Sequence, residues 1–352
     1  MSHKRLLVFN PETDFALASG LAHYTAPAKI RLLRSRLAYL PALCGRRGDA
    51  ILIPEPTDNF DEGMDVKSLP YRQLCIDKGI DALTPSQLRD CLRLDPDRFD
   101  EIVPWGWNRT IITELEELGV LRDLMPSKRR MDALRQLTHR RTSIVFNREL
   151  NTLTGLETPL PVELFSEDDA MEFMHRCPGC YFKSPWSSSG RGIMVGGMLN
   201  ERLSREWIHG VIRRQRSVMA ETPCLRVIDF ATEWRCAGGK AEFIGYSLFK
   251  TTSGGSYTAN VIDTQNALEA EIGHYSPIPM PTLLAVQKRV IEKCVAADYE
   301  GPLGIDGCAS ENGDFRPCLE LNLRLTMGHL ALTIPVAEER TFFNPLKGSV
   351  SI

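Results

Sequence analysis

Three stretches carry residue types whose spacing suits phosphate chemistry. The first is Phe182-Lys183-Ser184-Pro185-Trp186-Ser187-Ser188-Ser189-Gly190-Arg191-Gly192-Ile193. A lysine at the end of a strand sets a point charge against a phosphate. The Ser- and Gly-rich run behind it, Ser187 to Gly192, lets backbone N–H groups close over phosphate oxygens that bulky side chains would keep away. No Gly-Lys-Ser/Thr follows a four-residue gap, so this is not a Walker A loop. The competing account is a surface hairpin with a solvent-reaching lysine.

The second stretch is Gly304-Ile305-Asp306-Gly307, an Asn312-Gly313 turn, then Leu319-Glu320-Leu321-Asn322-Leu323-Arg324. Residues i and i+2 of a strand share a face. Glu320 and Asn322 therefore project together, and Asp306 on the preceding strand can join them. Two carboxylates and an amide oxygen are hard ligands suited to Mg²⁺. Arg324, two further on, is expected to add a cation on that face for a phosphoryl group. A solvated, charge-balanced hairpin accounts for Asp306 and Glu320 but poorly for Asn322 in a strand. The third stretch is Val218-Met219-Ala220-Glu221-Thr222-Pro223 with Asp229 beyond it. A strand running into a hinge offers backbone groups to an adenine edge, and a later carboxylate can accept from ribose hydroxyls.

These residues need elements to hold them. Leu6–Phe9, Ala50–Ile53 and Glu101–Val103 read as short buried strands, with helices over Lys29–Leu43 and Thr110–Leu121. Strands alternating with helices predict a mostly parallel sheet over residues 1–125. Ser127 can cap a helix from 128. A strand at Tyr181–Lys183, one at Ile193–Val195 and a helix over 200–215 surround the first motif. Residues 217–249 read as antiparallel sheet, Leu283–Ala297 as a helix, and Gly304–Ala309 with Pro317–Leu323 as a hairpin. The expected divisions are 1–125, 126–216 and 217–352.

The 352 residues are 43% hydrophobic and 25% charged, with a net charge of −3. That composition excludes a disordered tail, a coiled coil or a fibre. It supplies no positive field for nucleic acid or an anionic membrane, and no apolar run suggests a membrane span. Ten scattered cysteines without an export signal point to free thiols in a reducing cytoplasm. Cys177-Pro178-Gly179-Cys180 reads as a turn between a helix and a strand rather than a redox centre.

In order and spacing the three stretches resemble the ATP-grasp superfamily, over residues 126–335, preceded by an α/β domain. The segments Asn10-Pro11-Glu12-Thr13-Asp14 and Pro104-Trp105-Gly106-Trp107-Asn108 resemble a bacterial branch of it and imply no substrate. The resemblance implies an α/β (α+β) ATP-grasp fold and an ATP- and Mg²⁺-dependent ligase acting on a small-molecule carboxylate and an amine, or a peptide, alone or as a homodimer. Lys183 would hold the α/β-phosphates, and Ser187, Ser188, Ser189, Gly190, Arg191 and Gly192 would close over the triphosphate. Glu221 and the backbone near Cys224 and Leu225 would meet adenine, with Asp229 at the ribose. Asp306, Glu320 and Asn322 would hold one or two Mg²⁺, and Arg324 would steady the transferred phosphoryl group. An earlier ATP contact falls to Lys128, Arg140 or Arg141. A phosphotransferase on the same site, or a nucleotide-binding regulator without turnover, are the competing functions. Asn10, Glu12 and Asp14 sit where the first strand ends, where α/β sheets bind ligands. The loop between Lys250 and Tyr257 reads as a substrate lid or as a plain loop.

Overall fold

Short apolar runs become strands wherever both of their faces can be covered. In the computed structural model, which describes residues 3–55, 61–187, 192–252, 256–346 and 349–351, the chain begins with β1 (Arg5–Val8), α1 (Thr13–Ser19), α2 (Ala28–Arg36), β2 (Ala50–Leu52), α3 (Asp61–Lys78), β3 (Asp81–Leu83), α4 (Pro85–Leu94), β4 (Glu101–Pro104), α5 (Arg109–Glu117) and α6 (Lys128–Leu137). Next come α7 (Arg141–Thr154), β5 (Val162–Leu164), α8 (Glu167–Arg176), β6 (Tyr181–Lys183), β7 (Ile193–Val195), α9 (Glu201–Gln215), β8 (Val218–Glu221), β9 (Ile228–Ala237), β10 (Lys240–Thr251) and β11 (Tyr257–Ile262). The last are α10 (Gln265–Tyr275), α11 (Met280–Cys294), β12 (Gly301–Ala309), β13 (Phe315–Asn322), α12 (Met327–Ala331), β14 (Thr341–Asn344) and β15 (Ser349–Ser351).

Two compact units result. One comprises residues 1–132, 259–262 and 324–352; the other comprises 133–258 and 263–323. In the first, β3-β2-β1-β4 form a wholly parallel sheet, as the alternation of strands and helices predicts. Leu6, Leu7 and Ile51 have no exposed surface, which is the burial a parallel sheet requires. In the same unit β14 pairs antiparallel with β11 and with β15.

The second unit holds two antiparallel sheets. In one the order is β5-β8-β6-β7. Its inner face sends Phe182, Met194, Val218 and Ala220 into a core with Met171 and Met174 of α8 and Ile208 and Val211 of α9. In the other, β13, β12, β9 and β10 are neighbours in that order. Buried polar bonds dock α7 and α11 on it: Asn147 Nδ2 donates to the Cys318 carbonyl at 2.7 Å, and Gln287 Nε2 to the Pro317 carbonyl at 3.1 Å.

Two expected helices are shorter than their apolar spacing suggests. The first stops at Arg36 and gives way to a 3₁₀ turn over Leu40–Leu43, because Pro41 has no N–H for an α-helical bond. The second stops at Glu117, where Gly119 turns to φ +92°. Ser127 does cap α6, accepting from the Arg130 N–H at 3.3 Å. Among the described residues no helix is long and apolar enough to cross a membrane.

Candidate functional site

The pairing of β6 with β8 sets Tyr181 opposite Glu221 and Lys183 opposite Met219. Odd-numbered positions of both strands therefore share a face, and even-numbered positions feed the helical core. Along the shared face Lys183 reaches Glu221 diagonally, Nζ to Oε2 at 2.6 Å. Both residues are less than a tenth exposed, so this is a buried ion pair rather than a lysine reaching solvent. An ammonium has three N–H donors, and Glu221 takes one.

The loop behind Lys183 is closed by the Ser184 N–H donating to the Gly192 carbonyl at 2.8 Å. Gly192 has φ +71°, and a Cβ there would stand 2.8 Å from Ser184 Oγ and 3.0 Å from Ser187 Cβ. Glycine is required on both counts. Ser188, Ser189, Gly190 and Arg191 lie outside the described residues. Ser187 is buried, and its Oγ accepts from Arg140 Nη1 at 2.8 Å.

Arg140 is a hub. Its Nη1 also donates to the Ser184 carbonyl at 2.7 Å, and its Nη2 to Glu320 Oε2 at 2.7 Å. One guanidinium thus joins the loop after β6 to β13. Arg141 instead pairs with Glu163 at 2.9 Å, and Lys128 opens α6 in the first unit. Beside the hub His139 is buried, and its Nδ1 accepts the Arg141 N–H at 3.0 Å. Burial, reinforced by the charges of Arg141, Arg140 and Arg135, lowers its pKa to about 3. The imidazole is a neutral structural acceptor here.

On the second sheet Asp306 and Glu320 stand directly opposite one another, and Asn322 stands opposite Gly304. The two carboxylates are half-buried and Asn322 is buried. Cys318 lies two residues before Glu320, within the register irregularity of the hairpin. Its thiol is pushed up by burial and then by the negative charges of Asp306, Glu221 and Glu320. Among the described residues no group of three or more His, Cys, Asp or Glu side chains is placed to hold a metal ion. The candidate set is two carboxylates and an amide oxygen. That donor chemistry fits Mg²⁺, which keeps several waters and takes phosphate oxygens as further ligands.

Against solved structures, the chain is similar to biotin carboxylase of Campylobacter jejuni in a β-γ-ATP complex. The identity is 13% and the TM-score 0.54, over 94% of this chain and 67% of that one. It is also similar to the biotin carboxylase domain of Hydrogenobacter thermophilus 2-oxoglutarate carboxylase in complex with MgADP, ADP and bicarbonate, at 12% identity and TM-score 0.51, over 94% and 68%. A third is N5-carboxyaminoimidazole synthetase of Staphylococcus aureus complexed with ADP, at 10% and 0.50, over 97% and 82%. The fold is the ATP-grasp fold. No family model matches the chain, and no curated protein does.

Two further expected site residues lie as follows. The face alternation that was to carry Arg324 stops with β13 at Asn322. Arg324 instead belongs to the first unit, where its Nε donates to Asp14 Oδ2 at 3.1 Å and Oδ1 at 3.3 Å. Asp229, expected as a ribose acceptor past the hinge, is the second residue of β9. Its carboxylate accepts from Thr251 Oγ1 at 2.7 Å and Arg226 Nη1 at 3.2 Å. The hinge itself, residues 222–227, contains half-buried Cys224 and Leu225, which is 80% exposed.

Sequence reasoning missed Arg316. Its Nη1 donates to the Thr222 carbonyl and its Nη2 to the Pro223 carbonyl, each at 2.8 Å, while Asp314 holds the guanidinium from the other side at 2.7–3.1 Å. The available signal was a buried-strand context, Phe315-Arg316-Pro317-Cys318, with one long cation inside it.

The two signature segments of the first unit lock to each other where β1 and β4 end. Asn10 Nδ2 donates to the Gly106 carbonyl at 2.7 Å, and Asn108 Nδ2 to Thr13 Oγ1 at 3.2 Å. Arg34 bridges Glu12 at 2.9 Å and Glu114 at 2.7 Å. Burial raises the Glu12 pKa against the pull of Arg34. Asn10 and Glu12 are buried in this network. His329 is tied to the Thr326 cap of α12 at 2.8 Å. In the loop 250–257, residues 253–255 lie outside the described residues.

Proposed function

We propose that the protein is an ATP- and Mg²⁺-dependent carboxylate–amine ligase working through an acyl phosphate. The observation that carries this reading is the opposed pair Asp306–Glu320 with Asn322 beside it, on the hairpin of an ATP-grasp fold. Lys183, with Glu221 holding one of its three donors, is the cation for the nucleotide phosphates. The loop closed at Gly192 covers them, and the hinge 222–227 meets the base. Asp306, Glu320 and Asn322 are the residues that hold Mg²⁺, which when bound neutralises phosphate charge. Arg140 acts through Ser187 and Glu320 as a positioning residue. Similar folds crystallised with ADP or MgADP support the nucleotide assignment.

In the reaction a substrate carboxylate oxygen attacks the γ-phosphorus and ADP leaves. An amine nitrogen then attacks the acyl carbon, phosphate leaves and the nitrogen gives up a proton. The protein's contribution is orientation and charge compensation.

The test exploits the electrophilic acyl carbon. With ATP, Mg²⁺, hydroxylamine and a pool of carboxylates, the expected products are a hydroxamate, ADP and phosphate. ADP with a stable phosphoester and no hydroxamate identifies a phosphotransferase instead. AMP with pyrophosphate overturns both, because attack is then at the α-phosphate.

A further inference from the structure

We infer that Cys224 and Cys308 are a thiol pair that a low-molecular-weight disulfide, such as glutathione disulfide, converts to an intramolecular disulfide. The two residues are 84 positions apart in the chain, yet their sulfur atoms are 3.8 Å apart, with Cys308 Sγ donating to Cys224 Sγ. All ten cysteines are free thiols, so the pair is present in its reduced form.

The encounter is built by the surrounding structure. Cys308 follows the irregularity in β12 between Asp306 and Cys308, and its partner across β13 is Arg316. Arg316 grips the Thr222 and Pro223 carbonyls. That grip fixes the backbone immediately before Cys224 and so holds the second sulfur over the first. A disulfide needs sulfurs about 2.05 Å apart. Side-chain rotation at Cys224, which lies outside any helix or strand, can close the remainder.

The two thiols divide the chemistry. Cys224 is half-buried and reachable, whereas Cys308 has no exposed surface. Donation from Cys308, and then the Arg316 charge, hold the Cys224 thiol below its ordinary range, the condition for a nucleophilic thiolate. The Cys224 thiolate attacks one sulfur of glutathione disulfide, forming a mixed disulfide and releasing one glutathione thiolate. The Cys308 sulfur then attacks Cys224 Sγ, displacing the second glutathione, and the proton Cys308 loses goes to that leaving thiolate. Two thiols and one disulfide become one disulfide and two thiols; the two electrons pass to glutathione. The Cys177/Cys180 pair has the sequence spacing of a redox motif, but the Cys180 N–H donates to the Cys177 carbonyl at 3.2 Å, and the segment is the turn between α8 and β6.

The consequence for nucleotide rests on the proposed function. A bond from Cys224 to β12 fixes the hinge at the adenine position, so nucleotide affinity should differ between the two forms.

The test is to treat the full-length protein with glutathione disulfide near pH 8, alkylate, digest and map peptides without reductant. Expected is a linked Cys224–Cys308 peptide about 2 Da lighter than the two reduced peptides together, abolished by dithiothreitol and by Cys224→Ser. In Cys308→Ala the glutathione should stay on Cys224. Glutathione persisting on Cys224 of the wild type, no reaction at Cys224, or a link between other cysteines overturns the inference. Calorimetric titration with MgADP is the second arm, with a change of about five-fold or more expected on cross-linking. Equal affinities in both forms overturn the consequence for the hinge. Absence of binding by the reduced protein counts against the proposed function, while the mapped cross-link still decides the thiol pair.

Discussion

Arg140 serves three acceptors with one side chain: the Ser184 carbonyl, Ser187 Oγ and Glu320 Oε2. A lysine ammonium keeps the charge but lacks the planar fork that reaches all three. Its side chain is 5% exposed and that of Glu320 25%. Arg140→Ala should therefore cost about 3 kcal/mol in urea unfolding, near the bottom of the range for a broken buried pair because Glu320 retains some water. Arg140→Lys should fall between the two proteins. A loss below about 1 kcal/mol for the alanine variant would mean the hub does not hold the loop to β13. The residue types were legible in the sequence, but their partners were not. Lys183 and Glu221 were assigned separately to phosphate and adenine, and nothing in a one-dimensional pattern says that they form an ion pair 38 positions apart. Arg324 lies beyond the reach of strand alternation. The i+2 rule holds only inside a strand, and the strand ends two residues before it.

At the scale of elements, the hairpin β12–β13 depends on a glycine. A Cβ on Gly307 would stand 2.6 Å from Phe230 Cζ and 2.8 Å from the Arg316 carbonyl. A ring at 0% exposure and a strand backbone cannot both yield. Gly307→Ala should lower stability by about 1–3 kcal/mol through overpacking. Gly273→Ala in α10 should do the reverse. Its Cβ would meet Met280 Cγ at an ordinary 3.4 Å, and helix propensity adds about 0.5–1 kcal/mol. Thermal melts of the two variants should move in opposite directions; a Gly307→Ala melt at or above wild type would show that β12 has room to shift. Strands such as β1, β2 and β4 and the β12–β13 hairpin were legible because apolar runs and an Asn-Gly turn announce themselves; β3, β11, β14 and β15 were not read as strands. α3 was not, because Gly63 and Pro70 interrupt its pattern and Pro70 nonetheless sits inside the helix. α10 was missed too, although Leu268 and Ile272 are buried at helical spacing and its Thr264 cap accepts from the Ala267 N–H at 3.2 Å.

At the scale of the whole molecule, the first unit is completed by chain that arrives last. Phe9, Leu37, Leu40 and Trp105 form a core with Ile262, Leu330, Ala331 and Phe343. The Leu325 N–H donates to the Trp105 carbonyl at 2.9 Å, and Tyr71 Oη to the Pro345 carbonyl at 3.1 Å. No local pattern in 324–352 advertises these partners, since long-range packing leaves no periodic trace in one segment. Removing residues 324–352 thus removes part of the cover of Phe9 and Trp105. A chain ending at Leu323 should expose that apolar surface, bind a hydrophobic dye and melt below the full-length protein. Phe343→Ala tests the same contact without deleting backbone. Phe343 is 2% exposed, so its truncation should cost about 3–5 kcal/mol. Unchanged melting in both variants would mean that the first unit closes its core without the returning chain. Dye binding by the shortened chain together with the expected loss in Phe343→Ala would establish that the unit completes only once its C-terminal segment has docked.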